Sequence, residues 1–293
     1  MTVEAISQFT SDRARTRFLA AYERVRHRRW PADAVAADLP TSFGTTRVYR
    51  WGEGDDLPFV LLPGAGGNAL SWHPHLRRLG RDRPVIAVEP VGEPGCSVQS
   101  RPLDGAEDWT RWLDEVLAGL AVDRVHLVGC SFGGWVALRY ALHAPGRVAS
   151  TVLLDPAGFG RVGGRFLAWV LLSGLAGLAP APVRHLAARV LRNATLRDDD
   201  LMELLRASFG FRRRHPVPPA VTDDDVRRLD VPVLVLLGER SQLYDAPTLA
   251  AHLAAQNPAI QVELVPEAGH DLPLSHPTLI TTHTNHFTAR RQC

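Results

Sequence analysis

Val125-His126-Leu127-Val128-Gly129-Cys130-Ser131-Phe132-Gly133-Gly134-Trp135-Val136-Ala137-Leu138 reads as strand, sharp turn and helix. Four mostly apolar residues lead in, and Ala137, Leu138 and Tyr140 continue with helix-forming character. Ser131 falls at the tip, where the backbone is forced into a strained conformation and the neighbours must be small. Gly129, Gly133 and Gly134 meet that demand. Gly-x-Ser-x-Gly alone is a common string, but between a buried strand and a helix it marks an exposed, nucleophilic hydroxyl, a nucleophile elbow. The peptide N–H of Phe132 then points from a helix N-terminus toward the space where an oxyanion forms. Cys130 reads as a small buried filler.

Upstream, 43–51 and 58–62 read as successive strands, and the second runs straight into Pro63-Gly64-Ala65-Gly66-Gly67-Asn68. A glycine-rich loop after a strand can cradle phosphate, yet no Gly-x-Gly-x-x-Gly fingerprint and no Lys-Ser/Thr follows. An oxyanion loop fits better, with the N–H of Ala65, to within one residue, as the second donor. Trp72, Leu76 and Leu79 suggest a short helix. His73 and His75 have no acidic or cysteine neighbour in sequence, so no metal site is expected. A short β-type run at 84–88 ends in Glu89-Pro90-Val91-Gly92-Glu93-Pro94-Gly95-Cys96-Ser97, and 109–120 is an amphipathic helix.

The strands 85–88, 125–128 and 151–154 are apolar on both faces and alternate with helices, which predicts an α/β protein with a mostly parallel central sheet flanked by helices. After Asp155 the alternation stops. Residues 157–229 show no strand but helical segments near 165–178, 183–193, 198–209 and 223–229, before 231–237 resumes as a buried strand. A helical insertion between two sheet strands sits over the strand ends that carry Ser131, as a cap. The expected division is a helical segment over 1–40, a core of 41–156 and 230–293, and a cap over 157–229. A helix near 247–255 and a last strand at 261–265 lead to Gly269-His270-Asp271, where an imidazole can swing over Ser131.

With 293 residues, 45% of them hydrophobic, the chain suits one large domain or a domain with an insertion. A net charge of +2 from 33 basic and 31 acidic residues argues for neither nucleic acid nor an anionic membrane as partner. Residues 1–29 lack the apolar core of a signal peptide, and the longest apolar run, 166–180, is about 15 residues against the ~20 that cross a bilayer; no membrane span is expected. Cys96, Cys130 and Cys293 are odd in number and lack metal spacing, as reduced thiols of a cytoplasmic protein would be. Phe18, Leu19, Tyr22 and Val25 predict an N-terminal docking or lid-like helix stopped at Trp30-Pro31, with the basic residues of 24–29 on a solvated face.

This order of parts resembles the α/β-hydrolase family, more narrowly its capped esterase-like members, over about residues 40–290. Pro63-Gly64-Ala65-Gly66 stands in the place of the oxyanion loop, Gly129-Cys130-Ser131-Phe132-Gly133 at the elbow, and Gly269-His270 after the last strand. Glu89-x-x-Gly92-x-x-Gly95-x-Ser97 is similar to the family's acidic-x-x-Gly-x-Gly-x-Ser loop with one extra residue. The resemblance implies a catalytic triad in the order nucleophile, acid, base, with Ser131 first and His270 last. Two departures stand out. Pro63 replaces the family's usual histidine, and the usual acid position, three residues after Gly238, is Ser241, which cannot hold an imidazole tautomer with a charge. Asp155, directly after the strand 151–154, ranks first as the replacement; Glu239 is next, then Asp245, which is also explained as a helix N-cap, or the chain has no acid.

The expectation is a serine hydrolase cleaving an ester or thioester with an apolar acyl or aryl portion through an acyl-enzyme, with Phe166, Trp169 and Val170 of the cap against a small apolar substrate. No cofactor is expected, and the chain would act as a monomer or homodimer. One alternative is a C–C hydrolase, lyase or cyclase of natural-product biosynthesis, with His270 as base and Ser131 as a hydrogen-bonding group. Another is a non-catalytic ligand-binding module.

Overall fold

In the computed structural model, which describes residues 6–160 and 162–289, the chain enters through a two-residue strand β1 (Gln8–Phe9) and helix α1 (Asp12–Arg29). Ser11 Oγ caps α1 by accepting from the N–H of Ala14 at 3.2 Å, and Phe18, Tyr22 and Val25, four and three residues apart, form its buried stripe. Cys293 lies outside the described residues. Next come β2 (Val35–Thr41), β3 (Gly44–Trp51), β4 (Phe59–Leu62), the single turn α2 (Leu76–Leu79), β5 (Val85–Val88), β6 (Val98–Gln99) and α3 (Ala106–Gly119). The elbow region is β7 (Val125–Cys130) and α4 (Phe132–His143), followed by β8 (Val148–Leu154). Helices α5 (Gly164–Gly177), α6 (Ala181–Val190) and α7 (Asp199–Ala207), strand β9 (Phe211–Arg212) and α8 (Asp223–Arg227) precede β10 (Val233–Gly238), α9 (Ala246–Gln256), β11 (Gln261–Val265), α10 (Leu272–Ser275) and α11 (Pro277–Ala289).

Nine strands form one sheet, in the order β11-β10-β8-β7-β4-β5-β3-β2 with β6 on β3. The run from β11 to β5 is parallel throughout, while β3 pairs antiparallel with β5, β2 and β6. Every residue of β4, β5, β8 and β10 is buried, because helices cover both faces. On one face α3 and α4 bring Trp112 and Trp135 into the core, each about 1.5–3 kcal/mol better inside than in water. The indole N–H of Trp112 donates to Thr46 Oγ1 at 2.8 Å, so its burial strands no donor. On the other face α1 and α11 cover β4, β5 and β10.

Three features depart from the sequence reading. β2 lies inside the segment read as helical, so the helical description fits Asp12–Arg29 and the sheet begins at Val35. The interval 157–229 contains a strand, β9, which pairs antiparallel with β1. The arginines at the end of α1 are also paired rather than merely solvated: Arg24 and Arg28 reach Glu203, and Arg28 and Arg29 reach Asp200, on α7. Among the described residues no helix is long and apolar enough to cross a membrane.

Candidate active site

Ser131, Asp155 and His270 follow the carboxyl ends of β7, β8 and β11, and the loop 63–68 follows β4, so parallel pairing delivers all four to one edge of the sheet. Ser131 sits at φ +49°, a region costly to a side-chain-bearing residue, and packing holds it there. A Cβ on Gly129 would lie 2.3 Å from the carbonyl oxygen of Gly133, and one on Gly133 would lie 2.1 Å from that of Leu62. Both positions exclude side chains outright. Asp155, at φ +43°, lies in the same left-handed region. The two turns are tied together: the N–H of Ser131 donates to Leu154 O at 3.0 Å, and the Ser131 carbonyl accepts from Ala157 at 2.9 Å.

Ser131 Oγ lies 3.0 Å from His270 Nε2, and His270 Nδ1 lies 2.6 Å from Asp155 Oδ2. With the proton on Nδ1 donated to the carboxylate, Nε2 is free to accept from the serine hydroxyl. Asp155 is fully buried and acquires two further donors, the Ser241 hydroxyl at 2.6 Å and the N–H of Gly238 at 3.3 Å. Ser241 therefore stands where a carboxylate was sought and points its hydroxyl at the carboxylate that takes that place. Glu239 is exposed and accepts from the N–H of Glu267 at 3.1 Å, away from the imidazole. Asp245 caps α9 by accepting from Thr248 at 3.0 Å.

Phe132 begins α4, so its N–H has no carbonyl one turn earlier to bond. The glycine loop lies against the elbow, a Cβ on Gly64 falling 3.4 Å from that of Ser131. Ala65 is exposed beside it. From the inserted helices, Phe166 and Trp169 set their rings edge-on to the His270 imidazole, with centroids at 5.0 and 5.9 Å. Val170, a further ~100° round the helix, is 47% exposed. Cys130 is a free thiol that desolvation pushes well above its ordinary range, with the charge of Asp155 adding to the effect.

Several residues around the site escaped sequence reasoning. Glu93, 1% exposed, accepts from the N–H of Gly66 at 2.8 Å and lies 2.9 Å from His215 Nε2. The His215 ring stacks on Phe132 at 5.2 Å, so one carboxylate joins the glycine loop to the insertion beside the elbow. Asp271, next to His270, accepts from the N–H of Ala194 and from that of Thr195 at 3.3 Å. Burial pushes its carboxyl up to about 6, and those two donors only partly offset the rise. Glu89, deeply buried, accepts from the Tyr22 hydroxyl and from the N–H of Cys96 at 2.5 Å, and burial raises its carboxyl; the acidic-x-x-Gly loop thus fastens α1 to the strand ends. The only signal for these groups was an acidic residue among turn formers. His73, which lacks a carboxylate nearby in sequence, meets Asp198 at 3.3 Å across the fold.

Residues 59–281 match the model of the alpha/beta hydrolase family. A Bacillus subtilis protein named as an uncharacterized carboxylesterase, nap, is 29% identical over 88% of this chain and 88% of its own length. The crystal structure of naproxen esterase from the same organism superposes with a TM-score of 0.82 at 26% identity, covering 94% of this chain and 98% of its own. A 2-hydroxy-6-oxo-2,4-heptadienoate hydrolase of Pseudomonas putida is 30% identical over 69% of this chain and 78% of its own length. The central sheet and flanking helices have the alpha/beta-hydrolase fold of these esterases.

Proposed function

This chain belongs to the alpha/beta hydrolase family and is a hydrolase, and from that premise we propose that it is a serine carboxylesterase acting on esters or thioesters with an apolar acyl or aryl portion. The observation that carries the reading is the unbroken hydrogen-bond chain from Ser131 Oγ through His270 to Asp155. Ser131 Oγ attacks the carbonyl carbon while His270 Nε2 takes its proton, and the buried charge of Asp155 stabilises the imidazolium. The N–H groups of Phe132 and Ala65 receive the developing oxyanion. As the intermediate collapses, the bond to the leaving oxygen or sulfur breaks and His270 returns the proton to it. Water, deprotonated by His270, then attacks the acyl-serine, releasing the acid and restoring Ser131. Residues 157–229 act as a cap, with Phe166 and Trp169 against the acyl or aryl group.

The experiment is labelling by a fluorophosphonate together with hydrolysis of p-nitrophenyl butyrate. Ser131→Ala is expected to abolish labelling and to lower kcat/KM by about 10⁴-fold or more. Ester turnover that survives this substitution removes the reading.

A second reading, carbon–carbon hydrolysis, is favoured by the Pseudomonas putida relative, because the compound in its name holds no ester and hydrolysis must cut between carbons. Turnover of that dienoate that persists in Ser131→Ala and vanishes in His270→Ala selects it.

A further inference from the structure

The outward face of the inserted helices is apolar where a solvent-facing helix is ordinarily polar. Along α5, Phe166 and Trp169 meet His270, and Ser173 and Gly177 continue the same inward stripe as buried residues. A second stripe runs at Leu167, Leu171, Leu175 and Leu178, each at least 58% exposed. On α6 the inward positions are Arg184 and Ala188, while Val183, Leu186 and Val190 are at least 57% exposed. The two helices pack together. A helix that is apolar all the way round lies against something on each side, and so large an aliphatic patch marks an interaction surface.

The charges identify the partner. Between Asp155 and Asp198 the sequence contains six arginines and no aspartate or glutamate. Two are committed within the fold: Arg165 donates to the carbonyls of Ser241, Gln242 and Tyr244, and Arg184 is buried against Asp199. Arg189, Arg192 and Arg197 are exposed and line one hollow of about 180 Å³ beyond the end of α6, which Glu267, 3.8 Å from Arg192, also borders. Two copies meeting through α5 and α6 across a two-fold axis would find no carboxylate on either helix to answer these arginines. A partner that is apolar in depth and anionic at its surface suits both halves of the pattern.

We propose that this face docks on anionic phospholipid bilayers, the leucines entering the acyl-chain boundary and the arginines meeting phosphate headgroups. Helix α5 then faces lipid on one side and His270 on the other, about one helix diameter apart. Docking uses side chains that take no part in the proposed ester chemistry, so each stands or falls separately.

The test is co-sedimentation of full-length Ser131→Ala protein with large unilamellar vesicles of phosphatidylcholine alone or with 30% phosphatidylglycerol. Binding to the anionic vesicles is expected to exceed that to neutral ones by at least about tenfold and to weaken with salt, since each arginine near such a surface is worth about fivefold. Leu171→Asp with Leu186→Asp should abolish binding while leaving the thermal melt and p-nitrophenyl butyrate turnover, measured with Ser131 intact, unchanged. Arg189→Gln with Arg197→Gln, on exposed side chains that leave the fold alone, should remove the anionic preference. Equal binding to both vesicles or to neither overturns the proposal, as does a dimer in light scattering that the aspartate pair dissolves.

Discussion

Ser241 and Asp155 share between them what one residue does where the acid follows Gly238. β8 and β10 are neighbours, and the Asp155 N–H donates to Leu236 O at 2.8 Å, so the ends of both strands reach the same side of the imidazole. A serine just past the end of one strand then supplies a hydrogen bond to a carboxylate just past the end of the other. Replacing Ser241 by alanine leaves a buried charge short of a donor, a loss of about 1.5–3 kcal/mol in such sites, part of which relaxation recovers. We expect kcat for p-nitrophenyl butyrate to fall about tenfold in Ser241→Ala with KM little changed, because the hydroxyl acts on the base's partner and not on substrate; an unchanged kcat would rule this role out. The places of Ser131 and His270 in the fold were legible because each is announced locally, Ser131 by glycines around a strand end and His270 by the last strand before it. The identity of the third partner was not, since it depends on which strand ends lie side by side, a distance that counting along the chain does not measure.

At the scale of elements, the parallel strands were readable because burial on both faces makes them uninterrupted apolar runs, whereas β2 was not. Its sequence Val35-Ala36-Ala37-Asp38-Leu39-Pro40-Thr41 is weakly patterned and holds a proline, which the sheet tolerates because β2 is an edge strand bonded to β3 alone. β1 and β9, two residues each, are too short to show any period. The join between the insertion and the histidine loop is equally silent in sequence, yet burial shifts the carboxyl at its centre. The Asp271 carboxyl, raised to about 6 by burial, lies above its unfolded value, so the protonated form is the one the fold prefers. Its contribution is full below about pH 4 and is lost as pH rises through about 6. In urea unfolding at pH 7 and pH 4, the stability of the wild type relative to Asp271→Asn should swing in favour of the wild type at the lower pH, by up to about 3 kcal/mol. Parallel pH profiles would show that the carboxyl does not titrate in this window.

Across the whole molecule, a net charge of +2 conceals a stretch of more than forty residues without a carboxylate, so composition pointed away from anionic surfaces when the placement of charge does not. The N-terminal helix shows the same gap between pattern and consequence: its apolar stripe was readable, its place under the sheet was not. Phe18, Tyr22 and Val25 are each at most 1% exposed, and at about 1.5–3 kcal/mol apiece they account for much of the ~5–15 kcal/mol that holds a domain together. A chain beginning at residue 31 should lose its near-ultraviolet circular dichroism and bind ANS at 25 °C; a cooperative melt within about 5 °C of the full chain would contradict this. The pairing of β1 with β9 sets the timing as well. Roughly two hundred residues separate the two strands, and at ~5–20 residues per second a ribosome takes about 10–40 s to make them. Strand β1 therefore waits for a mate that does not yet exist, and this two-stranded ribbon cannot close on the nascent protein until residue 212 has emerged.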